Sequence, residues 1–348
     1  MLIKGFRLRN FLYHLKNKDM KEESKKMIGI DVSRDKLDVH CFSNEEHFII
    51  GNNADGLAKF TMWLTQHQIT FEQLWLVFEF TGMYCNRLSK YCKANNIQYS
   101  EVPAMEIQRT IGVTRGKNDK IDAKRIATFG QEKQHKLKAT TPIDKATEEL
   151  KRAMSLRDKL VGQRAGYMAS LKEMKHALDL KEDDVEIKIH QKMKDVFDEQ
   201  ITDIEKRIQE IIDADKTLQK NYDLLVSVKG VGFVIAVYTI IYTANFTKFN
   251  DCRKFACYCG IAPFEHSSGK STKRSRVSHL ANKKIKAVLG QGAQSASKYD
   301  AELKQFYERK LKEGKNKSSV MNVIKNKLVA RMFAVINKQK PYVIKNAA

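Results

Sequence analysis

No stretch of this 348-residue chain approaches the ~20 consecutive apolar residues of a membrane-spanning helix. The sequence therefore predicts no membrane association of that kind. Acidic residues are in deficit, with 41 Asp and Glu against 63 Lys and Arg, a formal net charge of +22. Such an excess points to a polyanionic partner, nucleic acid or an anionic lipid face, and not to any fold. None of the six cysteines (Cys41, Cys85, Cys92, Cys252, Cys257, Cys259) forms a paired CxxC of zinc-finger spacing. Cys257 and Cys259, with His266 beyond, leave a metal site open as an alternative, but buried free thiols are the simpler reading. The chain accordingly reads as a reduced, cytoplasmic protein. The stretch MLIKGFRLRNFLYHLKNKDMKEESKK has neither the continuous apolar core nor the small-residue cleavage site of a secretory signal. It reads as a basic amino-terminal arm over residues 1–26, with the aromatic content to form a short amphipathic helix.

The hydrophobic pattern changes twice along the chain. MIGIDVS, KLDVHCF and EHFIIGN read as three strands joined by turns at Ser33–Lys36 and Asn44–Glu46. A helix with Leu57, Phe60 and Leu64 on one face follows. LWLVFEF reads as a buried central strand. A helix, the strand IQYSEVP and a basic helix to about Gln131 complete a βββαβαβα order over 27–143. From 144 to 220 apolar residues recur every seven positions: Leu150, Leu171 and Leu178; Ala153, Leu160, Tyr167 and Met174; then Phe197, Ile204, Ile211 and Leu218 with Ile201 and Ile208. The polar break LKEDD predicts two arms of an antiparallel coiled-coil hairpin, although Arg157 and Arg164 interrupt its first seam. Residues 221–348 read as mostly helical, interrupted by the polar basic loop HSSGKSTKRSRVS.

Four acids stand where chemistry is expected. Asp31 ends the first strand and Glu79 the fourth. Asp119 and Asp122 are spaced i, i+3 on one face of a helix. An all-oxygen set of this kind suits Mg²⁺, which takes one or two carboxylates and fills its remaining positions with water and phosphate. The alternatives are local: strand-end acids cap turns, and Asp119 is placed to be a helix N-cap. Asp35, in a turn, and Asp38, on the adjacent strand, are poorer candidates. The strand order and the order of the acids resemble the RNase H-like fold of RuvC-type nucleases, which implies a metal-dependent nuclease chemistry for this part of the chain.

Two further segments carry candidate contacts. In GIAPFEHSSGKSTKRSR, Ser267 and Ser268 precede Gly269, with Lys270, Lys273, Arg274 and Arg276 close behind. A serine hydroxyl becomes a useful nucleophile only when its proton is removed or its oxyanion stabilised. Guanidinium groups match phosphate oxygens. From the residues alone a non-covalent phosphate-binding loop is the stronger reading. In KGVG, Lys229, Gly230 and Gly232 fit a helix-hairpin-helix turn whose amides face a DNA phosphate, or a plain connection between helices.

IGIDVS, FEFTG, NDKIDAKRIA, the KGVG segment and GIAPFEHSSGKS, in this order, resemble the DEDD insertion-sequence transposases of the "one-ten" family, the bridge-RNA-guided recombinases. The resemblance runs from Met27 onward. It implies an α/β RNase H-like (RuvC-like) amino-terminal domain, a helical coiled-coil hairpin and a mostly α-helical transposase domain. It implies that Asp31, Glu79, Asp119 and Asp122 form the metal-binding tetrad. It also implies that Ser268, rather than Ser267, becomes a covalent phosphoserine, with donor and target DNA and a structured guide RNA as partners of a dimer or tetramer. A RuvC-like structure-specific endonuclease using metal-activated water, and a non-catalytic nucleic-acid scaffold, are the alternatives.

Overall fold

The computed structural model describes residues 25–111, 118–141, 143–178, 181–268 and 271–343, with the backbone alone at 111, 266–268 and 271–275. Most of the basic arm, Gly269, Lys270 and the side chains of Ser267, Ser268, Lys273 and Arg274 thus lie outside the description. The chain divides into two compact units at Ile143.

The first unit is a five-stranded mixed sheet covered on both faces. Its strands are β1 (Lys26–Val32), β2 (Lys36–Cys41), β3 (Glu46–Gly51), β4 (Leu74–Glu79) and β5 (Gln98–Val102). They lie in the order β3-β2-β1-β4-β5. β1, β2 and β3 pair antiparallel, while β4 runs parallel to both β1 and β5. The helices are α1 (Ala54–Gln66), α2 (Asn86–Ala94), α3 (Ala104–Ile111) and α4 (Asp119–Glu132). This is the mixed α/β arrangement expected of an RNase H-like domain.

Alternation along β1 sorts its side chains between two cores. Ile28, Ile30 and Val32 join Phe60 and Leu64 of α1 and Leu88 and Cys92 of α2 on one face. Met27 joins Trp75, Val77 and Val102 on the other, under Ile107 of α3 and Ile126 and Phe129 of α4. Gly29 and Asp31 share Met27's face. A Cβ at Gly29 would lie 2.2 Å from the Ala127 nitrogen and 2.4 Å from the Ala123 oxygen, so the α4 backbone rests directly on the strand. Gly130 repeats the device one turn later, where a Cβ would meet Met27 Sδ at 2.7 Å.

The second unit begins with two long helices, α5 (Lys145–Ala177) and α6 (Val185–Asp213). They run antiparallel, as their pairings show. Glu149 meets Arg207 at 3.7 Å, Arg157 Nε donates to Glu205 Oε1 at 2.6 Å, and Arg164 pairs with Asp198. The arginines that interrupt the heptad pattern are thus satisfied across the pair. Leu150, Ala153 and Leu171 of α5 and Ile201, Ile208 and Ile211 of α6 are buried. Tyr167 and Leu178 of the expected seam are exposed, Leu178 being the C-cap of α5.

The rest of the unit comprises α7 (Lys216–Val226), α8 (Phe233–Thr243), α9 (Cys252–Tyr258), β6 (Pro263–Ser268), β7 (Ser271–Val277), α10 (Lys283–Tyr299), α11 (Ala301–Lys312) and α12 (Lys317–Lys338). α8, FVIAVYTIIYT, is apolar around most of its circumference and is the central helix of the bundle. Its buried hydroxyls at Thr239 and Thr243 donate to Ile235 O and Thr239 O, both at 2.7 Å.

The segment expected as a basic loop is an antiparallel ribbon instead. Pro263 pairs with Val277 and Phe264 with Arg276; after a register shift, Ser267 pairs with Thr272 and Ser268 with Ser271. A ribbon of Ser, Thr, Lys and Arg has no apolar face, so no hydrophobic alternation marks it as strand.

Replacing Gly29 with Ala will force α4 off β1, an overpacking that costs about 1–3 kcal/mol. Denaturant unfolding of Gly29→Ala against the parent chain checks this, and Ala at the open position Gly162, where nothing lies within 4 Å of a built Cβ, serves as the control.

Candidate active site

The α4 face of the sheet gathers the predicted acids. Asp31 lies two residues beyond Gly29 on β1. Glu79 lies two beyond Val77 on β4, on the same face by alternation. β1 and β4 run parallel with Ile30 opposite Phe78, one residue before each acid. α4 starts over this point because Asn118 caps it, its side chain accepting from the Lys120 amide. Asp119 is therefore not the cap, and both it and Asp122 occupy the first turn.

The strand pairing adds a fifth carboxylate. Asp38 of β2 stands directly opposite Asp31. It is 3 % exposed and receives His47 Nε2 at 3.2 Å and Lys36 Nζ at 3.0 Å. The register thus sets Asp38 beside the predicted acids, already paired with Lys36 and His47. The signal was present in the sequence, since a tight Ser33–Lys36 turn makes Asp31 and Asp38 partners.

Charge is out of balance here. The Asp31 carboxyl is pushed up from 3.8 to about 6, first by burial and then by Asp119, Asp122, Asp38 and Glu79 around it. The chain answers with two of its own cations. Lys36 Nζ bridges Asp38 and Asp119, reaching Asp119 Oδ2 at 2.7 Å. Arg125 Nη1 donates to Asp122 Oδ1 at 2.8 Å. Among the described residues no three Asp, Glu, His or Cys side chains are grouped so as to hold a metal ion as they stand. The donor chemistry nonetheless fits a hard divalent cation: the acids are all oxygen donors, and Asp31 remains short of compensating charge.

The second unit presents the other candidates. Ser268 ends β6, next to Gly269 and Lys270, which lie outside the described residues. Arg276 of β7 is exposed. Gly230 has φ +93°, and a Cβ there would strike Ala296 Cβ at 2.7 Å and Gly292 O at 2.9 Å, so its absence lets the KGVG turn pack on α10. Gly232 differs: it is the N-cap of α8, exposed, with open space where a Cβ would be. Lys229 is exposed beside them. The turn therefore joins two helices tightly and leaves the N-terminal end of α8 open.

Comparison with known proteins agrees with both halves. A DEDD transposase family profile of the IS110 type matches residues 28–180, and the profile "Transposase IS116/IS110/IS902 family" matches residues 222–308. The chain is 26 % identical over 331 residues to the pilin gene-inverting proteins of Moraxella lacunata and Moraxella bovis, covering 92 % of this chain and 98 % of each relative. It is 22 % identical over 148 residues to the transposase for insertion sequence element IS1111A of Coxiella burnetii, covering 42 % of this chain and 40 % of that protein. An acid-bearing mixed sheet joined to a helical transposase unit defines a DNA transposase or recombinase enzyme. Within that class the chain belongs to the IS110 family of transposases.

The raised pKa of Asp31 has a direction in stability. Between 3.8 and about 6 the folded chain holds this proton more tightly than the unfolded chain, so stability falls as pH rises through that window. In metal-free protein, Asp31→Asn removes the penalty. Its melting temperature will exceed the parent's by a few degrees at neutral and mildly alkaline pH and equal it below the lower end of the window, as thermal scans in chelator across that range will show.

Proposed function

We propose that this transposase cuts and rejoins DNA through a phosphoserine formed on Ser268, assisted by a divalent cation, Mg²⁺, held by Asp31, Glu79, Asp119 and Asp122. The observation that carries the reading is the meeting of these acids around an Asp31 whose carboxyl is raised to about 6. A cluster of carboxylates only partly offset by Lys36 and Arg125, on a chain of net charge +22, fits a site for a cation and a phosphodiester better than a structural role. When bound, the cation would lower the pKa of a nearby hydroxyl and offset charge on phosphate oxygens.

In the proposed step the Ser268 Oγ–P bond forms as a bridging P–O bond of DNA breaks, and the serine proton passes to the leaving DNA oxygen. Attack by a DNA hydroxyl reverses the step and restores the serine. Bond energy is conserved, so rejoining needs no nucleotide cofactor. Lys270, Lys273, Arg274 and Arg276 would hold the phosphate oxygens. Lys229, with the backbone of Gly230 and Gly232, would grip a second phosphate. The pilin gene-inverting relatives support recombination of this conservative kind. The family membership supports a structured guide RNA pairing with donor and target DNA, and a dimer or tetramer in which the α5–α6 pair serves as a coiled-coil arm. It also supports action in the cytoplasm.

Two substitutions test the reading on a plasmid substrate carrying donor and target sites. Ser268→Ala will abolish both recombination and the protein–DNA adduct that survives denaturing electrophoresis. Asp31→Asn will lower recombination roughly a hundredfold or more, as loss of transition-state charge stabilisation does. Cleavage retained by Ser268→Ala would instead assign the attack to water, as in a RuvC-like endonuclease. Recombination unaffected by Asp31→Asn would remove the metal site from the reaction.

A further inference from the structure

A cleft of about 390 Å³ opens at the turn that follows β1, lined by Arg34, Asp35, Asn52, Met83, Tyr84 and Arg87. Its volume falls within the range of small-ligand sites. Arg34 and Asp35 belong to the turn that joins Asp31's strand to Lys36, and Lys36 reaches Asp119. The cleft therefore shares its turn with the strand that carries Asp31, within the same unit.

Its walls are built rather than incidental. Asn52, 3 % exposed, ties them together. Its Nδ2 donates to Ser33 O at 2.9 Å and Tyr84 O at 3.1 Å, its backbone amide donates to Asp35 O at 2.9 Å, and its own carbonyl accepts Arg87 Nη1 at 2.5 Å. Two carbonyl acceptors fix which way the Asn52 amide faces. Oδ1 is buried without a hydrogen-bond partner.

The lining has the chemistry of a nucleotide. Tyr84 is 41 % exposed and Met83 75 %, with Phe80 49 % exposed nearby. Large apolar groups kept at the surface between arginines form the stacking platforms of single-strand binding sites. Arg34 lies 3.6 Å from Asp35, and both are largely exposed, so this weak pair leaves the guanidinium free to meet a phosphate. A base within a duplex cannot enter such a cleft; an unpaired one can.

We propose that the cleft binds one unstacked nucleotide of the DNA strand that the acid cluster acts on, its base against Tyr84 and Met83 and its phosphate on Arg34 and Arg87. The proposal rests on the acid cluster being the DNA-handling site, and it commits to DNA because the turn that lines the cleft leads directly from Asp31's strand to Lys36, which reaches Asp119.

Short single-stranded oligodeoxynucleotides test it with the full-length chain in chelator, by fluorescence anisotropy at fixed ionic strength. Arg34→Gln and Tyr84→Ala will each weaken binding about tenfold or more, while Tyr84→Phe, which keeps the ring, stays near the parent affinity. Photocross-linking of 5-iododeoxyuridine within the strand will map to the segment containing Met83 and Tyr84. Parent-like affinity in both Arg34→Gln and Tyr84→Ala, or equal loss in Tyr84→Phe and Tyr84→Ala, overturns the proposal. So does tighter binding of the RNA of the same sequence. Asp31→Asn separates the two readings. If it recombines normally while the Tyr84 cross-link persists, the acid site fails and the cleft stands. If it abolishes recombination and no cross-link reaches Tyr84, the cleft fails and the acid site stands.

Discussion

Everything at the acid cluster depends on one close approach, the contact of α4's backbone with β1 at Gly29. A helix normally stands off a sheet by the depth of two layers of side chains. Here the strand offers no side chain at the crossing, and the helix presents Ala123 and Ala127. The result brings the first turn of α4 down to the level of Asp31. With a larger residue at 29, Asp119 and Asp122 would rise away from the sheet, and carboxylates on two different elements could not act on one charge. The same approach buries part of Asp31 and so raises its pKa. Packing and electrostatics at this point have a single cause.

Such a cluster is costly to a folded chain. Five carboxylates on one sheet face repel, and burial removes the water that would screen them. The chain meets the cost with Lys36, which bridges two acids, and with Arg125, which holds a third. These cations stand in the region a divalent ion would enter. On the proposed reading, a cation held by Asp31, Glu79, Asp119 and Asp122 would supply part of the compensation that Lys36 and Arg125 provide. A site balanced in this way tolerates both the empty and the loaded state.

Much of the first unit was legible because its strands alternate and its turns are short. The spacing of Ile28, Ile30 and Val32, the apolar run of β4 and the helical face of Leu57, Phe60 and Leu64 all reflect burial that the fold then provides. The acids were legible as strand ends and a helical i, i+3 pair. The place of Asp38 was less legible because an acid in mid-strand looks incidental until its cross-strand partner is known. The ribbon around Ser268 was read as a loop because polar strands bury nothing, and burial is what periodicity records. The cleft around Asn52 was not legible at all. Its walls come from a turn, a strand end and the segment around Tyr84, and the Asn52 side chain that joins them leaves no periodic signal.

On the proposed reading, the placement of Ser268 on a polar ribbon suits what a nucleophile of this kind requires. A two-stranded ribbon without an apolar face gains little from its own cross-strand pairs, so its order must come from its root and from whatever it binds. The root is secured: Asn322 and Asn326 of α12 both donate to Ile261 O, at 2.8 and 2.9 Å, just before β6 begins. Beyond it the sequence supplies hydroxyls, Lys and Arg in place of packing residues. Such a strand pair has its strongest available interactions with a phosphate backbone. A serine held there would be tied to its substrate before it is activated.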